Sequence, residues 1–190
     1  MKIKLLTFLS LSMLLASCAQ DDTLDDVTVK NEAVQTNQNN SEALNIGFTK
    51  VTLLKEISYH GGILNAGEAI TLENSLDTYQ LVMQYDHNLV LYKVRSGHPI
   101  ALWSSNTRRT DLTTPSALLA QNDGNMVIYN NNIPIWNTNK TVGYHINDPH
   151  MKLQLFKRTG AFIPPGYRIK LVLSGNGQNI NDVIEVDFID

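Results

Sequence analysis

An all-β fold is predicted from three features of this sequence. Its apolar stretches are short, and Gly, Asn, Asp and Pro punctuate them at close intervals. None carries the 3.6-residue stripe of an amphipathic helix. A nine-residue pattern also occurs twice, which points to a supersecondary unit that shares its core with copies of itself. Short strands with turn signals belong to a sandwich, a barrel or a prism of antiparallel sheets. A parallel sheet would need crossover helices, and no segment here reads as one.

The N-terminus stands outside that fold. Lys2 and Lys4 precede an apolar run from Leu5 to Ala16, which reads as a secretory signal and is too short to span a bilayer. The ending Leu15-Ala16-Ser17-Cys18 resembles the bacterial lipobox, which implies cleavage after residue 17 and lipidation of Cys18. Cys18 is the only cysteine in the chain, so no intrachain disulfide can form. Ala19 follows it rather than Asp, which favours an outer-membrane lipoprotein. Asp21 and Asp22 read equally as a surface-export signal or as part of a solvated tether. Residues 18–45 are rich in Asp, Asn, Gln and Thr and poor in large apolar side chains, the composition of a flexible tether.

Residues 46–190 are left to fold, enough chain to bury about two-thirds of its unfolded surface. Strands are expected at Thr49–Leu54, Ala69–Leu72, Tyr79–Gln84, Leu89–Lys93, Ile100–Trp103, Ala117–Gln121, Met126–Tyr129, Ile133–Trp136, Met151–Phe156, Tyr167–Leu173 and Val183–Phe188. The last two, around Ser174-Gly175-Asn176-Gly177, form a C-terminal hairpin over 167–190, packed on a domain covering 46–166.

The repeated pattern is Gln84-Tyr-Asp86-His-Asn88-Leu-Val90-Leu-Tyr92 and Gln121-Asn-Asp123-Gly-Asn125-Met-Val127-Ile-Tyr129, with the copies 37 residues apart. Each copy leads into a Pro-Ile pair and a tryptophan, Pro99-Ile100 before Trp103 and Pro134-Ile135 before Trp136. Polar turns follow, Ser104-Ser105-Asn106-Thr107 and Asn137-Thr138-Asn139. At matching positions the tryptophans are expected in the core. A third unit is expected to be degenerate: with Phe156 in the place of Tyr129, Asp148, His150, Lys152 and Gln154 take the Gln, Asp, Asn and Val places.

Along one straight strand Gln84 and Tyr92 would stand about 27 Å apart at about 3.4 Å per residue, too far for one small ligand. Asp-Gly-Asn is hairpin chemistry, and Asp-His-Asn is compatible with it. A turn centred on residue 87 would set Gln84 opposite Val90 and Tyr92 beside Val82. It would gather the Gln, Asp, Asn and Tyr groups on one patch, with Leu89, Leu91, Met126 and Ile128 facing the core. Carboxylate, amide and phenol groups with a valine floor suit a ligand bearing vicinal hydroxyls.

Q-x-D-x-N-x-V-x-Y with Trp-Asn-Thr-like turns resembles the monocot mannose-binding (bulb-type) lectins over residues 60–165. The resemblance implies a type II β-prism of three antiparallel sheets with pseudo-threefold symmetry and a tryptophan-lined centre. It implies mannose sites at Gln84, Asp86, Asn88, Val90 and Tyr92 and at Gln121, Asp123, Asn125, Val127 and Tyr129. In each, Asp and Asn would take the axial 2-hydroxyl, Gln the 3-hydroxyl and Tyr the 4-hydroxyl. Strand exchange, common in the plant proteins, makes a homodimer conceivable.

Other chemistries find little support. A net charge of −3 gives no basic face for nucleic acid. His60, His87, His98, His145 and His150 show no paired metal spacing and read as surface or turn residues, so neither a metal nor a cofactor is expected. Asp86 and Asp123 sit in separate repeat copies, which argues for two equivalent sites and against one glycosidase acid–base pair. The expected function is therefore a lipid-anchored, non-catalytic mannose-type lectin. A protein-interaction or adhesion module on the same prism is the alternative.

Overall fold

The structure, a computed structural model, describes residues 49–75, 77–161 and 164–189. The signal segment, Cys18 and the tether lie outside the described residues. Those described form twelve strands: β1 (Lys50–Tyr59), β2 (Ile63–Asn65), β3 (Ala69–Asn74), β4 (Asp77–Met83), β5 (Leu89–Arg95), β6 (His98–Ser104), β7 (Ser116–Ala120), β8 (Met126–Asn130), β9 (Ile133–Asn137), β10 (His150–Thr159), β11 (Gly166–Gly175) and β12 (Gln178–Phe188). Each of the eleven expected strands is present. The addition is β2, whose three residues are too few to show a period, although Leu64 at its centre is fully buried.

Three antiparallel sheets of four strands result, in the orders β1-β10-β11-β12, β2-β7-β8-β9 and β3-β4-β5-β6. The fold is a β-prism, and its connectivity is simple. The first three strands each supply one edge to a different sheet. Three successive triplets, β4–β6, β7–β9 and β10–β12, then complete the sheets in turn. The hairpin expected at 167–190 thus supplies two of the four strands of a sheet shared with β1 and β10, with β12 at its edge.

This connectivity corrects the placement of the third unit. The equivalents of the two polar hairpins are the β4–β5, β7–β8 and β10–β11 connections. The third of these lies at 160–165, with Gly160, Pro164 and Pro165 and none of the polar signature. Asp148 precedes β10, whereas His150, Lys152 and Gln154 lie along its first half. Phe156 belongs to the first strand of its triplet, paired with Leu53 and Arg168, so it does not stand where Tyr129 stands.

Alternating residues on each sheet meet in one core. Tyr79, Leu81, Met83, Leu89, Leu118, Met126, Ile128, Leu153, Leu155, Ile169, Leu171 and Leu173 have no exposed surface. Burying one such aliphatic side chain stabilises by about 1.5–3 kcal/mol. Trp103 and Trp136 pack on this cluster and meet edge to face at 5.9 Å, in accord with their expected core role. In the third triplet the aromatic at the end of the last strand is Phe188, which lies 5.7 Å from both Tyr79 and Tyr167.

The β11–β12 turn closes against the loop before β10. A Cβ on buried Gly175 would collide with Ile146 and lie 2.9 Å from the Asn147 carbonyl oxygen. Gly175→Ala is expected to destabilise by about 1–3 kcal/mol in denaturant titrations, the range for overpacking a filled site.

Paired charges cover the outer face of β11–β12. Arg168 stands opposite Asp187 and donates to it at 2.7 and 3.0 Å, and Arg158 approaches the same carboxylate at 2.9 Å. The Arg168 hydrogen bonds, and after them the nearby Arg168 and Arg158 charges, hold the Asp187 carboxyl below its ordinary pKa. A depressed carboxyl adds stability above its unfolded value and loses it as pH falls through the folded one. Thermal stability should therefore decline as pH drops below about 4, and Asp187→Asn should flatten that decline.

Candidate functional site

Both polar repeats fold as the same three-residue hairpin. In the first, Gln84 O accepts from His87 N at 3.1 Å and Gln84 N donates to Asn88 O at 2.9 Å. In the second, Gln121 O accepts from Gly124 N at 3.1 Å and Gln121 N donates to Asn125 O at 2.9 Å. The first two turn residues carry the bend, and the third takes positive φ, 74° at His87 and 90° at Gly124. The register differs from the expected one by two residues. Gln84 opposes Asn88, Val82 opposes Val90 and Tyr92 opposes Gln80. The physical reason is that residue 87 closes the turn as its left-handed member, which centres the hairpin on Asp86.

Gln84, Asn88, Val90 and Tyr92 nevertheless share one face, because directly opposed residues and their neighbours two along point the same way. The Gln84 amide donates to the Tyr92 hydroxyl at 3.0 Å, and Gln121 donates to Tyr129 at 3.0 Å. Asp86 accepts from the Asn88 backbone at 3.2 Å and Asp123 from Asn125 at 3.0 Å. Each quartet is thus two hydrogen-bonded pairs joined through the Gln–Asn backbone bridge. Val90 and Val127 are only 3% exposed, so they line the site from beneath and offer little open apolar surface.

The turns that follow the tryptophans orient the asparagines. Asn88 Oδ1 accepts from Ser104 Oγ at 3.0 Å, Ser105 Oγ at 3.1 Å and Thr107 N at 3.2 Å. Asn125 Oδ1 accepts from Thr138 Oγ1 at 2.6 Å, while Thr138 Oγ1 itself accepts from Met126 N at 3.1 Å. With its oxygen occupied, each asparagine is left with its NH2 group to present outward. Sequence reading found these Ser and Thr residues as turns and assigned them no role. Their repetition after each tryptophan was the available signal. Thr138→Val keeps the shape and removes the hydroxyl donor, and it is expected to weaken ligand binding at the second hairpin by several-fold in calorimetric titrations.

The two hairpins differ in support. His87 is buried, with Nε2 donating to the Leu112 carbonyl at 3.3 Å and Nδ1 facing Ser116 Oγ at 2.9 Å, so it ties the first tip to β7. Gly124 packs against Val142 and Asn181, and its carbonyl accepts from Asn181 Nδ2 at 2.8 Å. At the first site Arg108 Nε lies 3.4 Å from Asp86, a position filled by Thr141 after the second. Beside Gln121 and Tyr129 runs a groove of about 440 Å³ bordered by Ile63, Ala117 and Leu119. Asp123 borders a separate depression of about 420 Å³ with Val142 and Tyr144. The volumes lie in the range of small-ligand clefts. The donors and acceptors left over, an Asp oxygen, an Asn NH2, a Gln carbonyl and a Tyr hydroxyl, can each meet one sugar hydroxyl.

No family model matches the chain. A mannose-specific lectin from Aloe arborescens is 39% identical over 88 residues, covering 46% of this chain and 72% of that protein. Among solved structures, a monomeric monocot mannose-binding lectin from Gastrodia elata is 24% identical, covers 69% of this chain and 94% of its own, and superposes with a TM-score of 0.41. The Polygonatum cyrtonema lectin, solved with a monomannoside, is 31% identical over 58% of this chain and 94% of its own, with a TM-score of 0.36. On the sequence relationship to the Aloe protein, the chain belongs to the monocot mannose-binding lectin family.

Proposed function

We propose that this protein binds mannose-type sugars at two equivalent sites, one on each polar hairpin, and holds them without chemical turnover. As a member of a lectin family the chain is a carbohydrate-binding protein and not an enzyme. The observation that carries the two-site reading is the duplicated constellation: the Gln–Tyr bond, the Asp–Asn turn and the hydroxyl-held Asn oxygen recur with matching partners in both triplets. A carboxylate accepting from a sugar hydroxyl makes a charge-assisted bond, and the Asn amide and Tyr hydroxyl complete a hydroxyl-reading surface. Two sites on one chain raise avidity for any glycan that spans them. Calorimetric titration with methyl mannoside and mannan tests the reading, with a stoichiometry of two expected. A folded protein that ignores both ligands would sink it.

The anchor belongs to the same proposal. Cys18 is the lipidated residue, and the protein is an outer-membrane lipoprotein displaying its prism beyond the 18–45 tether. In cells fed an alkyne fatty acid, the chain should carry the label in the membrane fraction. Cys18→Ser should lose the label and leave that fraction, and retained labelling would place the lipid elsewhere.

A second reading has one observation in its favour. Strand β1 is a sheet edge and exposes Val51, Leu53, Leu54 and Ile57, more apolar surface than a solvated edge needs. A protein partner or a second copy seated there would bind in a way insensitive to free methyl mannoside.

A further inference from the structure

A second cluster lies on the sheet whose hairpin lacks the polar quartet. The β1–β10 ladder runs Ser58 opposite Lys152 and Tyr59 opposite Met151, and one step further it brings His60 level with His150. Opposed residues of an antiparallel pair hold their side chains within reach of each other. The two imidazole centroids are 4.9 Å apart, with planes inclined by 36°. Asp148 comes from the turn that leads into β10, with φ of +50°. One ring nitrogen from each histidine and one Asp148 carboxylate oxygen all lie within 4.8 Å of one another.

Two further features pre-organise this group. His150 is 8% exposed, and its Nδ1 lies 2.8 Å from the Asp148 carbonyl oxygen. A carbonyl only accepts, so in the neutral tautomer Nδ1 carries the hydrogen and Nε2 the lone pair. This is the backbone contact that commonly sets the tautomer of a metal-binding histidine. The Asp148 carboxylate, now 3.8 Å from Nδ1, has to turn toward Nε2 to share an ion with it. On the other side, the chain leaves His60 through Gly62 at φ +62°, where a Cβ would stand 3.0 Å from the Pro149 carbonyl oxygen. That close approach keeps His60 beside the Asp148–His150 turn.

We propose that His60, Asp148 and His150 bind a borderline divalent cation of the zinc class. Two imidazoles and one carboxylate are the donor set for such an ion, and Mg²⁺ and Ca²⁺, which prefer oxygen donors, fit it poorly. With metal–ligand bonds of about 2.0–2.2 Å, ligand atoms in a tetrahedral site stand about 3.3–3.5 Å apart. The present spacing, up to 4.8 Å, closes by as much as about 1.5 Å once His60 and Asp148, both exposed, turn inward. The fourth position is left to water. The ion would clip the end of edge strand β1 to β10, fastening the strand nearest the tether to the sheet that lacks the polar quartet.

The test uses full-length protein stripped with EDTA and titrated with ZnCl2 by calorimetry and thermal melting. The expected result is one saturable site per chain, a rise in melting temperature reversed by EDTA, and a tetrahedral visible spectrum with Co²⁺. His60→Ala and Asp148→Asn, both at exposed positions, should each weaken the site at least about tenfold. Asp86→Asn, on a different sheet, should bind Zn²⁺ like the parent. Absence of saturable binding at millimolar Zn²⁺ would overturn the proposal, as would His60→Ala and Asp148→Asn variants that bind as the parent does.

Discussion

Asp77→Ala is expected to cost about 1.5–3 kcal/mol, the range for hydrogen bonds made to a charged group. Asp77 begins β4 and its side chain is 7% exposed. Arg95, opposite it on β5, donates from Nε at 2.6 Å and from Nη2 at 2.7 Å, a two-pronged contact. Lys93 Nζ lies 3.4 Å from the same carboxylate and 5.4 Å from the Phe188 ring centroid. The substitution removes the one carboxylate that Arg95 and Lys93 share here. Arg95 is 45% exposed along its side chain and can turn to water, whereas Lys93, at 9%, cannot do so without disturbing Phe188. At about 2–4 °C per kcal/mol for a domain near this size, melting should fall by roughly 3–12 °C. A change below about 1 kcal/mol for the single variant would show that the carboxylate is dispensable.

Asp86→Asn together with Asp123→Asn is expected to abolish measurable mannose binding while leaving the fold intact. Each aspartate uses one oxygen to cap its own turn, a contact that the Asn oxygen reproduces. What disappears is the charge on the second oxygen. A hydrogen bond to a charged group contributes about 1.5–3 kcal/mol, so each site should weaken by about 10–100-fold. The single variants are the sharper readout. Either one alone should reduce the calorimetric stoichiometry from two to one, with the surviving site unchanged in affinity. Both sites falling together in one single variant would mean that they are not independent. The double variant binding like the parent would put the sugar somewhere else.

Much of the architecture was legible in the linear pattern. Apolar-rich stretches of four to seven residues were bounded by Gly, Asn, Asp and Pro, so eleven strands could be placed. The quartets were legible for a different reason: Gln, Asp, Asn and Tyr recurred at fixed spacing while their neighbours varied. The third unit was misplaced because Phe156 was aligned with Tyr129 by side-chain type. The topology shows that Phe156 sits on the first strand of its triplet and Tyr129 on the second. Hairpin register was off by two residues because the position of the left-handed residue within the turn is set by hydrogen-bond closure, which residue types at 86–88 leave open. His150 was read as a surface or turn residue, yet it is buried in β10, where β1 covers it from a distant part of the chain.

Residue type and spacing alone determined the all-β class, the strand positions, the two polar hairpins and the family resemblance. These depend on periodicity and turn chemistry, which act between neighbours a few residues apart. Folding in three dimensions decided the rest. It chose which Ser and Thr hydroxyls hold the Asn88 and Asn125 oxygens, from 13 to 17 residues away. It made Asp77 a buried charge. It also set His60 level with His150 across a ladder that joins residues about 90 apart in the chain. Contacts of that kind follow from strand order and register, which are properties of the whole sheet and leave no periodic trace along the chain.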